Sequence, residues 1–93
     1  MRLSETEKQV IKQAAVRLDA NARVYLFGSR VNDAAFGGDI DLLIDSDQFD
    51  LERTAQYRWE LMSQLGEQKF DIVNARRASK EFVALIRSRA VEL

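Results

Sequence analysis

Apolar positions recur along the chain with two periods, and the switches between them predict its elements. Val10, Ile11, Ala14, Ala15 and Leu18 recur at helical spacing, with Lys8, Gln9, Lys12 and Gln13 on the other side. Ser4 followed by Glu7 is a capping box, so a helix is expected over about residues 4–19. Asp19 to Asn21 reads as its end, with Asn21 suited to a left-handed conformation. Arg23 to Phe27 reads as a short buried strand that Gly28 stops. Ser29 suits the cap of a short helix over 29–35, and Gly37-Gly38 returns the chain to extended form. In residues 39–45, Asp39 and Asp41 alternate with Ile40 and Leu42, and the acidic face continues to the apolar Leu43. As a strand they place Asp39 and Asp41 on one face, roughly 6.5–7 Å apart, and Ile40, Leu42 and Ile44 on the other. Leu51, Ala55, Trp59, Met62 and Leu65 share one helical stripe. Asp50 or Asp47 offers its cap and Gly66 its C-terminal stop, which predicts a helix over 51–65 with Trp59 in the core. Gln68 to Asn74 alternates again, with Phe70 and Ile72 on one face and Lys69, Asp71 and Val73 on the other, a third strand. Ser79 opens a last helix over 80–91, with Phe82 assigned to the core and an apolar end at Arg87–Leu93 that is either a partner surface or a fraying tail.

The element order helix, strand, short helix, strand, helix, strand, helix predicts an α/β layer structure, a sheet of at least three strands with helices packed on it. The sequence leaves open whether adjacent strands run parallel or antiparallel, and the short link between the first two permits either. A chain of 93 residues is expected to form one domain over 1–93.

Composition then prunes the chemistry. Apolar residues make up 46% of the chain and charged residues 31%, as in an ordinary globular protein. A net charge of −1 gives no support to binding nucleic acid or a membrane surface by bulk electrostatics. No apolar run is long enough to span a bilayer, and the charged start MRLSETEKQ lacks an export core, which points to the cytoplasm. The chain has no cysteine and no histidine. That removes thiolate and histidine-dependent nucleophiles and nearly every zinc site, and leaves hard oxygen ligands suited to magnesium, manganese or calcium.

Three features carry the remaining chemistry. Gly28-Ser29 sits at a strand end that opens a helix, where glycine permits close approach and free N–H groups favour phosphate; Ser29 adds a donor and Arg30 a charge. Asp39 and Asp41 form a hard-metal platform. Asp71 lies on a strand whose polar face suits a place beside it. Carboxylates around two metal ions next to a phosphate cradle are what nucleotidyl transfer needs, with Asp71 as a ligand of the second ion or as acceptor of the nucleophile's proton.

Gly28-Ser29-Arg30, then Asp39-Ile40-Asp41-Leu42-Leu43-Ile44, then Phe70-Asp71-Ile72-Val73 resembles the minimal nucleotidyltransferase family of the DNA polymerase β-like superfamily, over nearly the whole chain. The resemblance implies a mixed sheet flanked by helices, the nucleotidyltransferase fold. It implies transfer of AMP from ATP with magnesium, two ions, held by Asp39, Asp41 and Asp71, while Gly28, Ser29 and Arg30 bind phosphate. Short members of this family resemble antitoxins encoded beside a HEPN-domain toxin, which they adenylylate on a tyrosine. One departure is Gly38, where many relatives carry a serine or another polar residue. Two alternatives stand beside this reading: an antitoxin that neutralises its partner by binding alone, and a small-molecule transferase similar to those that inactivate aminoglycosides, which need an extra helical domain.

Each feature also has a plainer reading. Gly28-Ser29 alone is a common strand-to-helix turn, Asp39 and Asp41 alone suit a solvated face, and Asp71 alone is more often structural. Arg76, Arg77 and Lys80 are read as a solvated turn rather than a phosphate contact. Lys69 either neutralises the site beside Asp71 or lies in solvent.

Overall fold

The computed structural model describes residues 3–31, 39–66 and 68–93, with the side chains of Ser29 and Arg30 also outside the description. Helix α1 (Glu5–Leu18) begins as its capping box requires: Ser4 Oγ accepts from the Glu7 N–H, and Glu7 Oε1 accepts from the Ser4 N–H, both at 3.0 Å. Its end differs from expectation. Asp19 closes it in extended conformation, its N–H donating to the Ala15 carbonyl while its Oδ1 accepts from the Asn21 N–H, and Asn21 does not take the left-handed conformation. Among the described residues only glycines take a positive φ.

The described residues form four strands: β1 (Arg23–Phe27), β2 (Ile40–Asp45), β3 (Phe70–Asn74) and β4 (Val91–Glu92). They form one mixed sheet in the order β3-β2-β1-β4. β1 runs antiparallel to β2 and to β4, and β2 runs parallel to β3. The parallel pair needs a crossover, and α2 (Leu51–Leu65) supplies it. Asp50 caps α2 by accepting from the Arg53 N–H at 2.8 Å, and Gly66 ends it at φ 84°. A last helix, α3 (Lys80–Arg87), opens with Ser79 Oγ accepting from the Phe82 N–H.

Alternation along the strands divides the sheet into two faces. Val24, Leu26, Ile40, Leu42, Ile44 and Phe70 join Ile11, Ala14 and Ala15 of α1 and Tyr57 and Leu61 of α2 in one buried core. Tyr57 is fully buried, and its hydroxyl donates to the Ile11 carbonyl at 2.9 Å, so the polar tip is satisfied where α1 and α2 meet.

The α2 stripe expected in the core is therefore not the buried one. Trp59 is 72% exposed and Leu51 77%, while Tyr57 and Leu61, on a different side of the helix, are buried. Of the expected stripe, Leu65 packs against the core, and the buried side is the one whose tyrosine hydroxyl finds an acceptor across the helix pair. Phe82, also expected in the core, is 46% exposed; Ile86 is the buried residue of α3.

The last helix is shorter than predicted. It stops at Arg87, and the chain turns at Ser88–Arg89 to enter β4. The reason is the open edge of β1. Val91 and Glu92 pair with Leu26 and Tyr25, and Glu92 accepts two hydrogen bonds from Arg23 at 2.8 and 2.9 Å. The apolar end is thus a strand, neither a frayed tail nor a continued helix.

α3 lies against β1 on the other face of the sheet, where the Arg87 guanidinium sits 5.4 Å over the Tyr25 ring. Asp45 ties this face together, accepting from Arg76 Nε at 2.9 Å and from Arg87. Arg76 is therefore a clamp, while Arg77 and Lys80 are exposed as a solvated turn would have them. Burial opposes ionisation of Asp45, but the hydrogen bonds from Arg76 and Arg87 outweigh it and hold its carboxyl below the usual carboxylate range. A carboxyl depressed in the folded state stabilises above its unfolded value and loses that contribution as pH falls through the lowered folded value. Asp45→Asn should cost about 1–2 kcal/mol at pH 7. In urea titrations at pH 7 and pH 3 the gap between wild type and variant should shrink at the lower pH; an unchanged gap would refute the clamp.

Candidate active site

The site is built where three backbone segments end at one edge of the sheet. β1 finishes at Phe27 and turns through a 3-10 segment, Gly28–Val31. β2 begins just after Asp39, and β3 begins just after Lys69. Register decides what meets there. Phe27 pairs with Asp41, and Asp41 pairs with Asp71. Paired residues on neighbouring strands point to the same face, so these three form one row across the sheet, Phe27–Asp41–Asp71. The parallel pairing of β2 with β3, which the sequence left open, is what sets the two aspartates side by side.

Asp41 is at the centre of that row. Burial raises its carboxyl above the usual carboxylate range, with a hydrogen-bonding contact to Asp71 and the negative charges of Asp71 and Asp39 adding to the rise, and Lys69 opposing it. Two carboxylates at hydrogen-bond reach need either a shared proton or a cation between them. The donor set is all hard oxygen, as a magnesium-sized ion requires.

Gly28 completes the fit. It has φ +76°, and a Cβ there would lie 2.1 Å from Asp41 Oδ2. The bend is glycine because the Asp41 carboxylate occupies the space beside it. The close approach that the structure shows at this glycine is that of the Asp41 carboxylate.

Asp39 stands at the mouth of the row, half exposed, with Lys69 Nζ 3.8 Å from its Oδ2. Among the described residues no three acidic side chains already close as a group on one ion. The structure brings together Asp41, Asp71 and Gly28, and leaves Asp39 facing Lys69. The Ser29 and Arg30 side chains, the remainder of the helix expected over 29–35 and Gly37-Gly38 lie outside the described residues. Phe27 is the site neighbour that sequence reading missed. Its alternation with Leu26 was visible, but its place opposite Asp41 depends on register.

A mixed sheet with helices on its faces and paired acidic strands beside a glycine bend belongs to the nucleotidyltransferase fold class. The family described as Polymerase beta, Nucleotidyltransferase matches residues 9–93, and the chain belongs to that family. No curated protein sequence matches it significantly. Among solved structures, the chain is similar to two variants of the toxin-antitoxin MntA-HpeT. One, with a tyrosine replaced by alanine, is 24% identical with a TM-score of 0.69, covering 94% of this chain and 69% of that one. The other, with two aspartates replaced by glutamate, is 21% identical with a TM-score of 0.70, covering 92% and 70%. A third, described as a candidate nucleotidyltransferase, is 26% identical with a TM-score of 0.65, covering 97% of this chain and 99% of that one. Among the described residues no helix is long and apolar enough to cross a membrane.

Proposed function

We propose that this chain is a magnesium-dependent nucleotidyltransferase that moves AMP from ATP to a tyrosine hydroxyl of a HEPN-type partner toxin, and so acts as an antitoxin in the cytoplasm. The observation that carries the reading is the row formed by Asp41 and Asp71 with Gly28 packed on the Asp41 carboxylate. Family membership supports the transfer chemistry, and the likeness to the MntA-HpeT structures supports the toxin-antitoxin setting.

In this reading Asp39, Asp41 and Asp71 hold two magnesium ions. Bound there, magnesium supplies charge neutralisation for the triphosphate and for the oxygen attacking in line. Asp71, at the end of the row, also suits acceptance of the acceptor hydroxyl's proton. The backbone of the Gly28–Arg30 bend, against which the Asp41 carboxylate packs, faces the phosphates in this reading. Val73 and Leu43 continue the same face as an apolar floor away from the charged row.

The test is a labelling reaction with radiolabelled ATP, magnesium and the toxin encoded in the adjacent reading frame. Label should pass to the toxin with wild type and not with the Asp39→Asn plus Asp41→Asn variant. Unlabelled toxin with wild type would overturn the reading. Full protection of cells by that double variant would show that binding alone neutralises.

A further inference from the structure

Lys69 is a cation beside Asp39 and Asp41 that the transfer reading has not used. It immediately precedes β3, two residues from Asp71, so it shares Asp71's face. Its carbonyl accepts from the Ile40 N–H at 2.9 Å, which sets it beside Asp39 across the parallel pair. Its ammonium is 3.8 Å from Asp39 Oδ2, and its charge reaches Asp41.

The form of that contact carries the argument. At 3.8 Å, with side chains 69% and 49% exposed, the pair is too open to brace the fold, and pairs of this kind contribute little to stability. Lys69 is thus a mobile positive charge on a four-carbon stem, tethered where three carboxylates meet solvent. Arg76 makes the contrast: its guanidinium is locked on Asp45 at 2.9 Å. A divalent cation entering the row would repel the ammonium from Asp39. The repelled ammonium stays at the mouth, where an anionic triphosphate arrives.

We propose, resting on the transferase reading, that Lys69 exchanges partners during loading: it holds Asp39 in the cation-free protein and contacts the triphosphate once the metal takes its place. One residue then has opposite effects on two ligands. It competes with the metal ion and assists the nucleotide.

The experiment titrates purified protein with Mn2+ alone, counting free ion by electron paramagnetic resonance, and then adds α,β-methylene ATP at saturating Mn2+. Lys69→Met should bind Mn2+ about two- to fourfold more tightly, as removal of one charge several ångströms from a divalent ion in screened water allows. It should bind the analogue roughly tenfold more weakly, as loss of a charged contact implies. Lys69→Arg should restore both values toward wild type. A structural role for Lys69 would weaken both ligands together, and that result would overturn the proposal, as would an unchanged affinity for either ligand. Asp41→Asn separates the two levels. If wild type binds no Mn2+, or Asp41→Asn binds it equally well, the transferase reading falls and the proposal with it. If Asp41→Asn abolishes binding while Lys69→Met matches wild type, the partner exchange alone falls.

Discussion

Asp41→Asn is expected to lower label transfer by about 10²–10³-fold or more while leaving the protein at least as stable as wild type in the absence of divalent cations. The loss follows from the central place of Asp41, between Phe27 and Asp71 in the row and against Gly28. In the proposed reading Asp41 holds the ion that neutralises the transition-state charge, and losing such a preorganised charge costs on that scale. The retained stability follows from the same geometry. Without a cation, Asp41 and Asp71 are two partly buried acids in contact, with Asp39 close by. Ionised together they repel, which the fold tolerates only as strain at a functional site. An asparagine of the same shape removes one charge and offers Asp71 an N–H donor. Thermal scans in chelator should show a melting temperature equal to or above that of wild type. Scans with millimolar magnesium should show a rise for wild type that the variant lacks, since a bound ion stabilises by mass action. A variant that melts well below wild type in chelator would mean that Asp41 is a structural residue, and one that transfers label normally would remove it from the site.

Much of this arrangement was legible in the sequence because local rules fix it. The caps at Ser4, Asp50 and Ser79 and the stop at Gly66 are where side-chain chemistry placed them. The alternation through Asp39 to Asp45 correctly separated acids from core. What local rules do not contain is the choice of neighbour. Asp71 could be placed on a polar face, but its position beside Asp41 depends on parallel register between strands joined by a whole helix. The exposed Trp59 and the buried Tyr57 show the same gap. The local pattern pointed to Trp59, whereas Tyr57 is buried and the Ile11 carbonyl that satisfies its hydroxyl lies on another helix, which local pattern does not name. β4 was lost because two residues carry no period at all. It exists because β1 has an edge to satisfy and Arg23 has Glu92 to hold.

Gly28→Ala should damage both fold and activity, and Gly66→Ala tells the two effects apart. Both glycines have positive φ, +76° and +84°. An alanine at either position bears a positive-φ penalty of about 1–3 kcal/mol, and at Gly66 the ψ of −172° puts the backbone in a region that is essentially glycine-only. There the likeness ends. A Cβ at Gly66 meets nothing within 4 Å, whereas one at Gly28 would sit 2.1 Å from Asp41 Oδ2 and 3.0 Å from its Cγ. No separation that short survives, so the bend or the Asp41 carboxylate must move by about an ångström. A displacement of that size in a reacting geometry costs on the order of 10²-fold in rate. Gly66→Ala should therefore lower the unfolding free energy by about 1–3 kcal/mol and transfer label at nearly the wild-type rate below its melting transition. Gly28→Ala should lose at least as much stability and about 10²-fold of its activity under conditions where it is fully folded. Urea titration fixes the first quantity and initial rates the second. Equal residual activity in the two variants would mean that the bend at residue 28 only turns the chain, and that the Asp41 carboxylate does not depend on the space a missing side chain leaves.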